Sequence, residues 1–105
     1  MKINITATNL DLTPAYREYI EERLNSLDKF MSKFDPEAVQ AWVVAARTTK
    51  HHKHGDVYHA EINLKFPGEV LRARAEGSDA RAVVDEAKDK LKQEIIKLKD
   101  RKTDH

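Results

Sequence analysis

The chain has 105 residues, of which 40% are hydrophobic and 35% charged, and its formal net charge is +1. This length allows one domain, 1–105, with a single core and a densely charged surface. Cysteine is absent, which excludes disulfides and cysteine-based zinc sites. No apolar run resembles a signal peptide or approaches membrane-spanning length, so we expect a soluble, cytoplasmic protein.

The N-terminal part predicts a strand followed by a helix. Residues Lys2 to Ala7 alternate between polar and apolar, the period of a half-buried strand. Thr13 is a suitable N-cap, and Pro14 suits the first helical position. An apolar stripe with spacings of three and four residues then predicts a helix of about five turns that stops at Pro36. The stripe consists of Tyr16, Ile20, Leu24, Leu27, Met31 and Phe34.

The middle of the chain predicts three strands. Val39 to Thr48 is rich in valine and alanine, and Val57 to Phe66 alternates most regularly. The dipeptide Pro67-Gly68 predicts a tight turn, from which Glu69 to Glu76 returns as the second strand of a hairpin. Trp42 lies in the first of these strands, where a core position is a more frequent role for tryptophan than base stacking.

The C-terminal part predicts a long amphipathic helix. Gly77-Ser78-Asp79 ends the last strand and supplies an N-cap. The buried stripe that follows is Ala80, Val84, Ala87, Leu91, Ile95 and Leu98. The order β-α-β-β-β-α with two amphipathic helices predicts an α+β fold, a two-layer sandwich in which both helices cover one face of a four-stranded sheet.

Residue patterns typical of catalysis are scarce. The three serines, Ser26, Ser32 and Ser78, lack the setting of a nucleophile elbow, and the three glycines are isolated turn residues. Carboxylates are numerous, but most of them fall on predicted helix exteriors. We therefore predict a protein that is not an enzyme and needs no cofactor.

A run of histidines occupies the polar loop between the second and third strands. His51, His52 and His54 could together hold a divalent metal. Lys53 lies among them, however, and a flexible loop without cysteine provides no preset geometry. We favour a solvated loop and predict no metal site. His59 is predicted on the open face of the sheet.

Basic residues are concentrated at the C-terminal end. Between Lys88 and Lys102 there are seven basic and three acidic residues, a local excess of four positive charges. At about 100° per residue, they border the apolar stripe as two rows, while the acidic residues point away from the core. The first cation row is Lys90, Lys97 and Arg101. The second cation row is Arg81, Lys88, Lys92 and Lys99. The acidic face is Asp85, Glu86, Asp89 and Asp100.

These rows have a structural explanation and a functional one. Lysine stems can cover apolar surface while their ammonium groups reach water, and pairs such as Glu86–Lys90 and Asp85–Lys88 could absorb charge. The concentration of the positive charge in the last four turns instead favours contact with a phosphate backbone.

The first helix adds to the functional explanation. Arg17 and Arg23 lie on the shoulders of its apolar stripe, so two helices packed side by side could flank a groove with cations. Arginine can bind a phosphate through two parallel hydrogen bonds. Base reading is expected to be secondary, because the outward positions of the predicted hairpin lack aromatic residues.

The chain resembles the family of ribosome hibernation promoting factors and ribosome-associated inhibitors, also called sigma-54 modulation or ribosomal subunit interface proteins. The resemblance extends over essentially the whole chain as an ordered set of segments. They are 2–6, 12–20 and 23–30 in the first strand and helix, and 75–79, 82–85, 89–95 and 97–101 before and within the last helix.

The resemblance implies a fold similar to the double-stranded RNA-binding domain and binding to the small ribosomal subunit at the decoding channel. It implies inhibition of translation and stabilisation of inactive or dimeric ribosomes, as a stress response in stationary phase. The residues that match the family's rRNA-contacting positions are Lys90, Lys97 and Arg101. Basic family positions in the first helix are matched by Arg17, Arg23 and Lys29.

Two departures qualify the resemblance. Some relatives carry a basic residue where this chain has Gln93, and Lys92 could supply the phosphate contact instead. The chain stops at His105, just after the last helix, so it resembles the short form. For that form we expect a monomer that acts with a separate small ribosome-dimerising factor.

Two alternatives stay open. One is a generic double-stranded RNA-binding module, which would bind any RNA duplex. The other, which the sigma-54 name of the resembling family suggests, is a protein-interaction module whose acidic and basic faces meet a regulatory protein and whose binding would survive treatment with ribonuclease.

Overall fold

The computed structural model describes residues 1–48 and 57–103, which form six principal elements. The histidine run at His51, His52 and His54 lies outside the described residues. The strands are β1 (Lys2–Thr8), β2 (Gln40–Thr48), β3 (Val57–Phe66) and β4 (Glu69–Gly77). The helices are α1 (Pro14–Asn25) and α2 (Ala80–Thr103).

The four strands form one sheet in the order β1-β2-β3-β4. β1 pairs parallel with β2, which needs a crossover connection such as α1, and the other two pairs are antiparallel. Apolar side chains of both helices share one core with a single face of the sheet. The predicted α+β sandwich with two helices on one face is confirmed.

Alternation along the strands separates this core from an open face, which we define as the sheet surface turned away from the helices. On β3, Ala60, Ile62 and Leu64 are fully buried, while the intervening residues belong to the open face. His59 lies there, as predicted, opposite Ala46 and Glu76.

The core position predicted for Trp42 is wrong. Its side chain lies on the open face and the residue is 39% exposed, whereas Ala41 and Val43 on either side are buried. Both sets of alternating residues in β2 are apolar, so composition alone does not tell which set faces the helices. Pairing with β1 and β3 decides it, because Trp42 stands opposite the polar residues Asn4 and Asn63.

α1 is shorter than the five turns predicted. It ends at Asn25, and the chain continues through a 3₁₀ turn over Asp28–Phe30 and another over Pro36–Ala38. Ser26 contributes to the ending, because its hydroxyl donates to the Arg23 carbonyl at 2.6 Å and competes with the helical pattern. Leu27 and Met31 are nevertheless buried, so the apolar spacing continues beyond the helix.

Both predicted helix caps are confirmed. The Thr13 hydroxyl accepts the Tyr16 N–H at 3.1 Å at the start of α1. At the start of α2, Asp79 Oδ1 accepts the N–H groups of Arg81 and Ala82 at 2.8 and 3.0 Å. These hydrogen bonds favour the carboxylate, so they lower the pKa of Asp79 below its ordinary value.

A buried tyrosine ties the beginnings of the two helices together. The Tyr16 hydroxyl donates to the Ala80 carbonyl at 2.8 Å, and the Tyr16 ring belongs to the core. Burial raises the pKa of Tyr16 to about 12, because the phenolate would lose its hydration. This contact fixes the start of α2 against α1 and thereby the distance between their basic side chains.

Candidate nucleic-acid interface

α1 and α2 are joined by a polar cluster on their solvent side. Asp85 of α2 accepts the Tyr19 hydroxyl at 2.7 Å and the Arg23 Nε–H at 2.8 Å, both from α1. The Arg23 guanidinium also lies 4.3 Å from the centre of the Tyr19 ring, and that of Arg81 lies 4.8 Å from it. Tyr19 thus holds one cation from each helix within cation–π distance.

The electrostatics of this cluster follow from its hydrogen bonds. The bond from Arg23 to Asp85 stabilises the guanidinium and raises the pKa of Arg23. Burial first, and then the hydrogen bond to Asp85, raise the pKa of Tyr19, because both disfavour the phenolate. Tyr19 therefore remains a hydrogen-bond donor at neutral pH, and the cluster keeps two guanidinium groups beside one carboxylate.

A second aromatic ring repeats this arrangement farther along. Phe30, in the turn after α1, has Lys92 Nζ of α2 at 5.0 Å and Lys29 Nζ at 5.4 Å from its ring centre. We call the two rings and the four cations around them the inter-helix cluster. It consists of Tyr19, Arg23, Lys29, Phe30, Arg81 and Lys92. The two rings restrict the conformations of the four cationic side chains. Less side-chain conformational entropy is therefore lost when these cations bind a phosphate.

The first cation row lies on the opposite side of α2. Lys90 Nζ donates to the carbonyl oxygen of Arg74 on β4 at 2.9 Å, which places this shoulder of the helix over the edge strand. Lys97 and Arg101 follow on the same side at helical spacing, and all three side chains are exposed. The structure therefore brings the second row, not the first, against α1.

Three details of the predicted charge pattern are corrected. Asp85 does not point away from the neighbouring elements, because it bridges to α1. Lys88 pairs with Asp89 at 2.7 Å rather than with Asp85. Lys90 donates to the β4 backbone rather than to Glu86. The partners of Asp85 and Lys90 come from other elements, which sequence spacing within α2 does not reveal.

The remaining predicted residues are distributed over both helices. Arg17 is exposed and, at about 100° per residue, lies on the shoulder of α1 away from Arg23. Lys29 is exposed in the 3₁₀ turn, and Lys92 is half-buried on α2 beside Phe30. Arg23, Lys29 and Lys92 are thus brought together in the inter-helix cluster, whereas Arg17 and the first cation row are not.

Tyr19 and Asp85 were missed as members of the site. The signal that could have found Tyr19 is its i, i+4 spacing from Arg23 beside the apolar stripe. No comparable local signal exists for Asp85, because both its partners come from α1.

Neither a metal site nor a membrane segment is found in the part of the chain that the structure describes. Within it, no group of three or more histidine, cysteine, aspartate or glutamate side chains is placed to hold a metal ion. No described helix is long and apolar enough to span a membrane.

The structure defines a small α+β domain whose last helix, α2, is bordered by cations on the side of β4 and on the side of α1. The chain belongs to the sigma 54 modulation protein / S30EA ribosomal protein family, which it matches over residues 3–103. The family resemblance of the sequence is thereby confirmed.

Relatives of known name agree with this assignment. A ribosome hibernation promoting factor of Klebsiella oxytoca is 31% identical over 105 residues, with all of both chains covered. The N-terminal domain of Protein Y from Thermus thermophilus superposes with a TM-score of 0.76 at 29% identity, covering 93% of this chain and 99% of that domain. A ribosomal subunit interface protein from Coxiella burnetii has the same fold, with a TM-score of 0.73 at 24% identity over 94% of this chain and 98% of that one.

Proposed function

We propose that this protein binds the small ribosomal subunit through its helix layer, inhibits translation and keeps ribosomes in an inactive or dimeric state. Family membership over residues 3–103 carries the proposal, together with relatives named as ribosome hibernation promoting factors. The action is non-enzymatic and takes place in the cytoplasm, where ribosomes are found. It needs no cofactor, since binding alone blocks the subunit.

The partner within the subunit is rRNA at the decoding channel, where the tRNA and mRNA sites lie. The supporting observation is that cations border α2 on both sides, with Lys90, Lys97 and Arg101 toward β4 and the inter-helix cluster toward α1. Two rows on one helix can contact phosphates of two RNA strands or of two segments of one fold. Each phosphate that is neutralised releases about 0.7 to 0.9 of a counterion, so affinity falls steeply with salt.

A ribosome pelleting assay tests the assignment of the first cation row. We expect Lys90→Glu with Lys97→Glu to abolish cosedimentation, because two attractive contacts become repulsive. The matched control is Lys2→Glu with Lys33→Glu, which changes the net charge equally at exposed positions outside the helix layer. Circular dichroism should show both variants folded. If the Lys90 and Lys97 variant cosediments with ribosomes as much as the control does, these two lysines are not part of the rRNA-binding site.

Additional arms of the assay distinguish the alternative functions. Addition of mRNA and tRNA should displace the protein if it occupies the decoding channel. A generic double-stranded RNA-binding module would bind an RNA duplex as tightly as the intact subunit. A sigma-54-associated interaction module would retain its partner after ribonuclease treatment, whereas rRNA binding would be lost.

A further inference from the structure

Trp42 lies in a polar row that crosses the open face of the sheet. From β1 to β4 the paired residues are Asn4, Trp42, Asn63 and Arg72. Adjacent strands lie about 4.8 Å apart, and β3 lies between the strands of Trp42 and Arg72. The backbones at these two residues are therefore roughly 10 Å apart, which is comparable to the size of one nucleotide. An indole thus has an amide on each side and a guanidinium at the edge of the sheet.

Trp42 is partly open to solvent on this face of the sheet. The residue is 39% exposed, while Val44, the next residue on the same face of β2, is half-buried. An aromatic ring that is partly open to solvent presents a flat surface on which another ring can stack. The Trp42 ring does not belong to the core cluster that the helices share with the sheet, which packs against the other face.

The charge of the open face favours an anionic partner. The described strands present four basic and two acidic side chains on this surface, an excess of two positive charges. The basic ones are Lys2, Lys65, Arg72 and Arg74, and the acidic ones are Glu61 and Glu76. Arg72 is the basic residue of the Trp42 row, whereas Arg74 lies in the next row and is paired with Glu76 at 3.5 Å.

The two asparagines are suited to a nucleobase. Asn4 Nδ2 contacts the Ala41 carbonyl at 3.4 Å and Asn63 Nδ2 contacts a Glu61 carboxylate oxygen at 3.5 Å. Both contacts are long for hydrogen bonds and are readily exchanged. A side-chain amide provides donors and an acceptor, as the polar edge of a base does.

From this geometry we propose that the open face binds an unpaired nucleotide of single-stranded RNA. The base stacks on Trp42, Asn4 and Asn63 bind its edge, and Arg72 binds a phosphate. Stacking on an aromatic side chain tolerates any base, so little sequence preference is expected. The site lies on the opposite side of the sheet from the helix layer and does not depend on the function proposed for that layer.

Trp42 is the only tryptophan of the chain, so its fluorescence reports directly on this site. The full chain is titrated with a short single-stranded oligouridylate and, separately, with a blunt RNA duplex of the same length. We expect saturable quenching by the single strand and little by the duplex, whose bases are already stacked. Arg72→Gln keeps the indole and should weaken the single-strand titration severalfold.

A second measurement uses the anisotropy of a labelled oligouridylate. Trp42→Ala should weaken binding by about tenfold, within the range expected for loss of one stacked base, and Trp42→Phe by less. Lys65→Gln is the matched charge control, since it removes one basic residue from the open face outside the Trp42 row.

The two RNA-binding proposals fail separately. The variant Lys90→Glu with Lys97→Glu should lose ribosomes while its Trp42 fluorescence is still quenched by the single strand. Three results would overturn the nucleotide site: no quenching, equal quenching by the duplex, or quenching that disappears in the Lys90 and Lys97 variant but not in Arg72→Gln. A face used by a protein partner would give the first of these results.

Discussion

Asp85 on α2 accepts the Arg23 Nε–H of α1 at 2.8 Å and so joins the two helices that carry the proposed rRNA-binding residues. The two side chains are 35% and 41% exposed, so solvent screens the pair and its contribution to stability is small. Its effect is mainly on charge and position. It holds Arg23 against Tyr19 and offsets one of the guanidinium groups there.

We expect Asp85→Asn to increase the affinity for RNA at low salt. The substitution keeps the shape of the side chain but removes the negative charge that offsets Arg23. The slope of log affinity against log salt concentration should steepen by about one, the effect of one additional phosphate contact. Binding to purified small subunits at several potassium concentrations measures it. An unchanged slope would mean that Arg23 already contacts phosphate in the complex or never does so.

The two lysines at Phe30 should contribute to the same interaction. Lys29→Ala with Lys92→Ala is expected to weaken binding to the small subunit and to lower the salt slope by about two. Lys88→Ala is a control from the second cation row, because Lys88 is already paired with Asp89 at 2.7 Å. Its effect should be clearly smaller than half that of the double variant. If Lys88→Ala weakens binding by half as much as the double variant, a position beside Phe30 gives a lysine no advantage in binding.

Burial of Tyr16 predicts a loss of stability at alkaline pH. The pKa of Tyr16 is raised to about 12 from 10.0. The contribution of the neutral phenol to the free energy of unfolding is therefore complete below pH 10 and is lost as the pH rises from about 10 to 12. The full shift corresponds to roughly 2 to 3 kcal/mol. Urea denaturation between pH 8 and 11 should show the decline in the wild type. The difference from Tyr16→Phe should shrink with increasing pH, and a constant difference would contradict the assignment.

Asp79 predicts the opposite dependence at acidic pH. The backbone N–H groups of Ala82 and Arg81 lower its pKa below 3.8, so its contribution to stability is complete above that value and is lost as the pH falls further. Asp79→Asn retains a capping side chain but cannot titrate. The stability difference between wild type and this variant should therefore narrow in acid. Thermal denaturation at pH 5 and pH 3 measures the change.

The β3–β4 turn depends on the backbone conformation of Gly68. Its φ is +80°, and a Cβ added there would meet no atom within 4 Å. Gly68→Ala should therefore destabilise the protein by about 1 kcal/mol through conformation alone. Gly68→Asn should cost less, since asparagine tolerates positive φ better than alanine. Urea denaturation compares the two, and an equal loss for both would argue against this cause.

The strands and the caps were predictable because their signals are local. The alternation in β1 and β3 and the Pro67-Gly68 turn specify the sheet, and Thr13 and Asp79 mark the helix starts. Each of these features depends on residues within a few positions of one another. The fold class followed from their order along the chain.

The errors arose where residues distant in sequence decide the outcome. The apolar spacing of α1 continues through Leu27 and Met31, although the backbone has already left the helix. The orientation of Trp42 depends on pairing with two other strands. The role of Asp85 depends on how α2 packs beside α1. A clue to the orientation of Trp42 was available. Its partner Asn63 belongs to the polar, outward set of residues on β3, and paired residues share a face of the sheet.

The contact of Lys90 with the Arg74 carbonyl has a consequence for solubility. β4 forms one edge of the sheet, where unpaired backbone groups can recruit a strand from another molecule. An ammonium group 2.9 Å from one of those carbonyl oxygens must be displaced before such a strand can pair. The same lysine that we expect to attract rRNA therefore also discourages self-association in crowded solutions, where edge-to-edge aggregation would remove the protein.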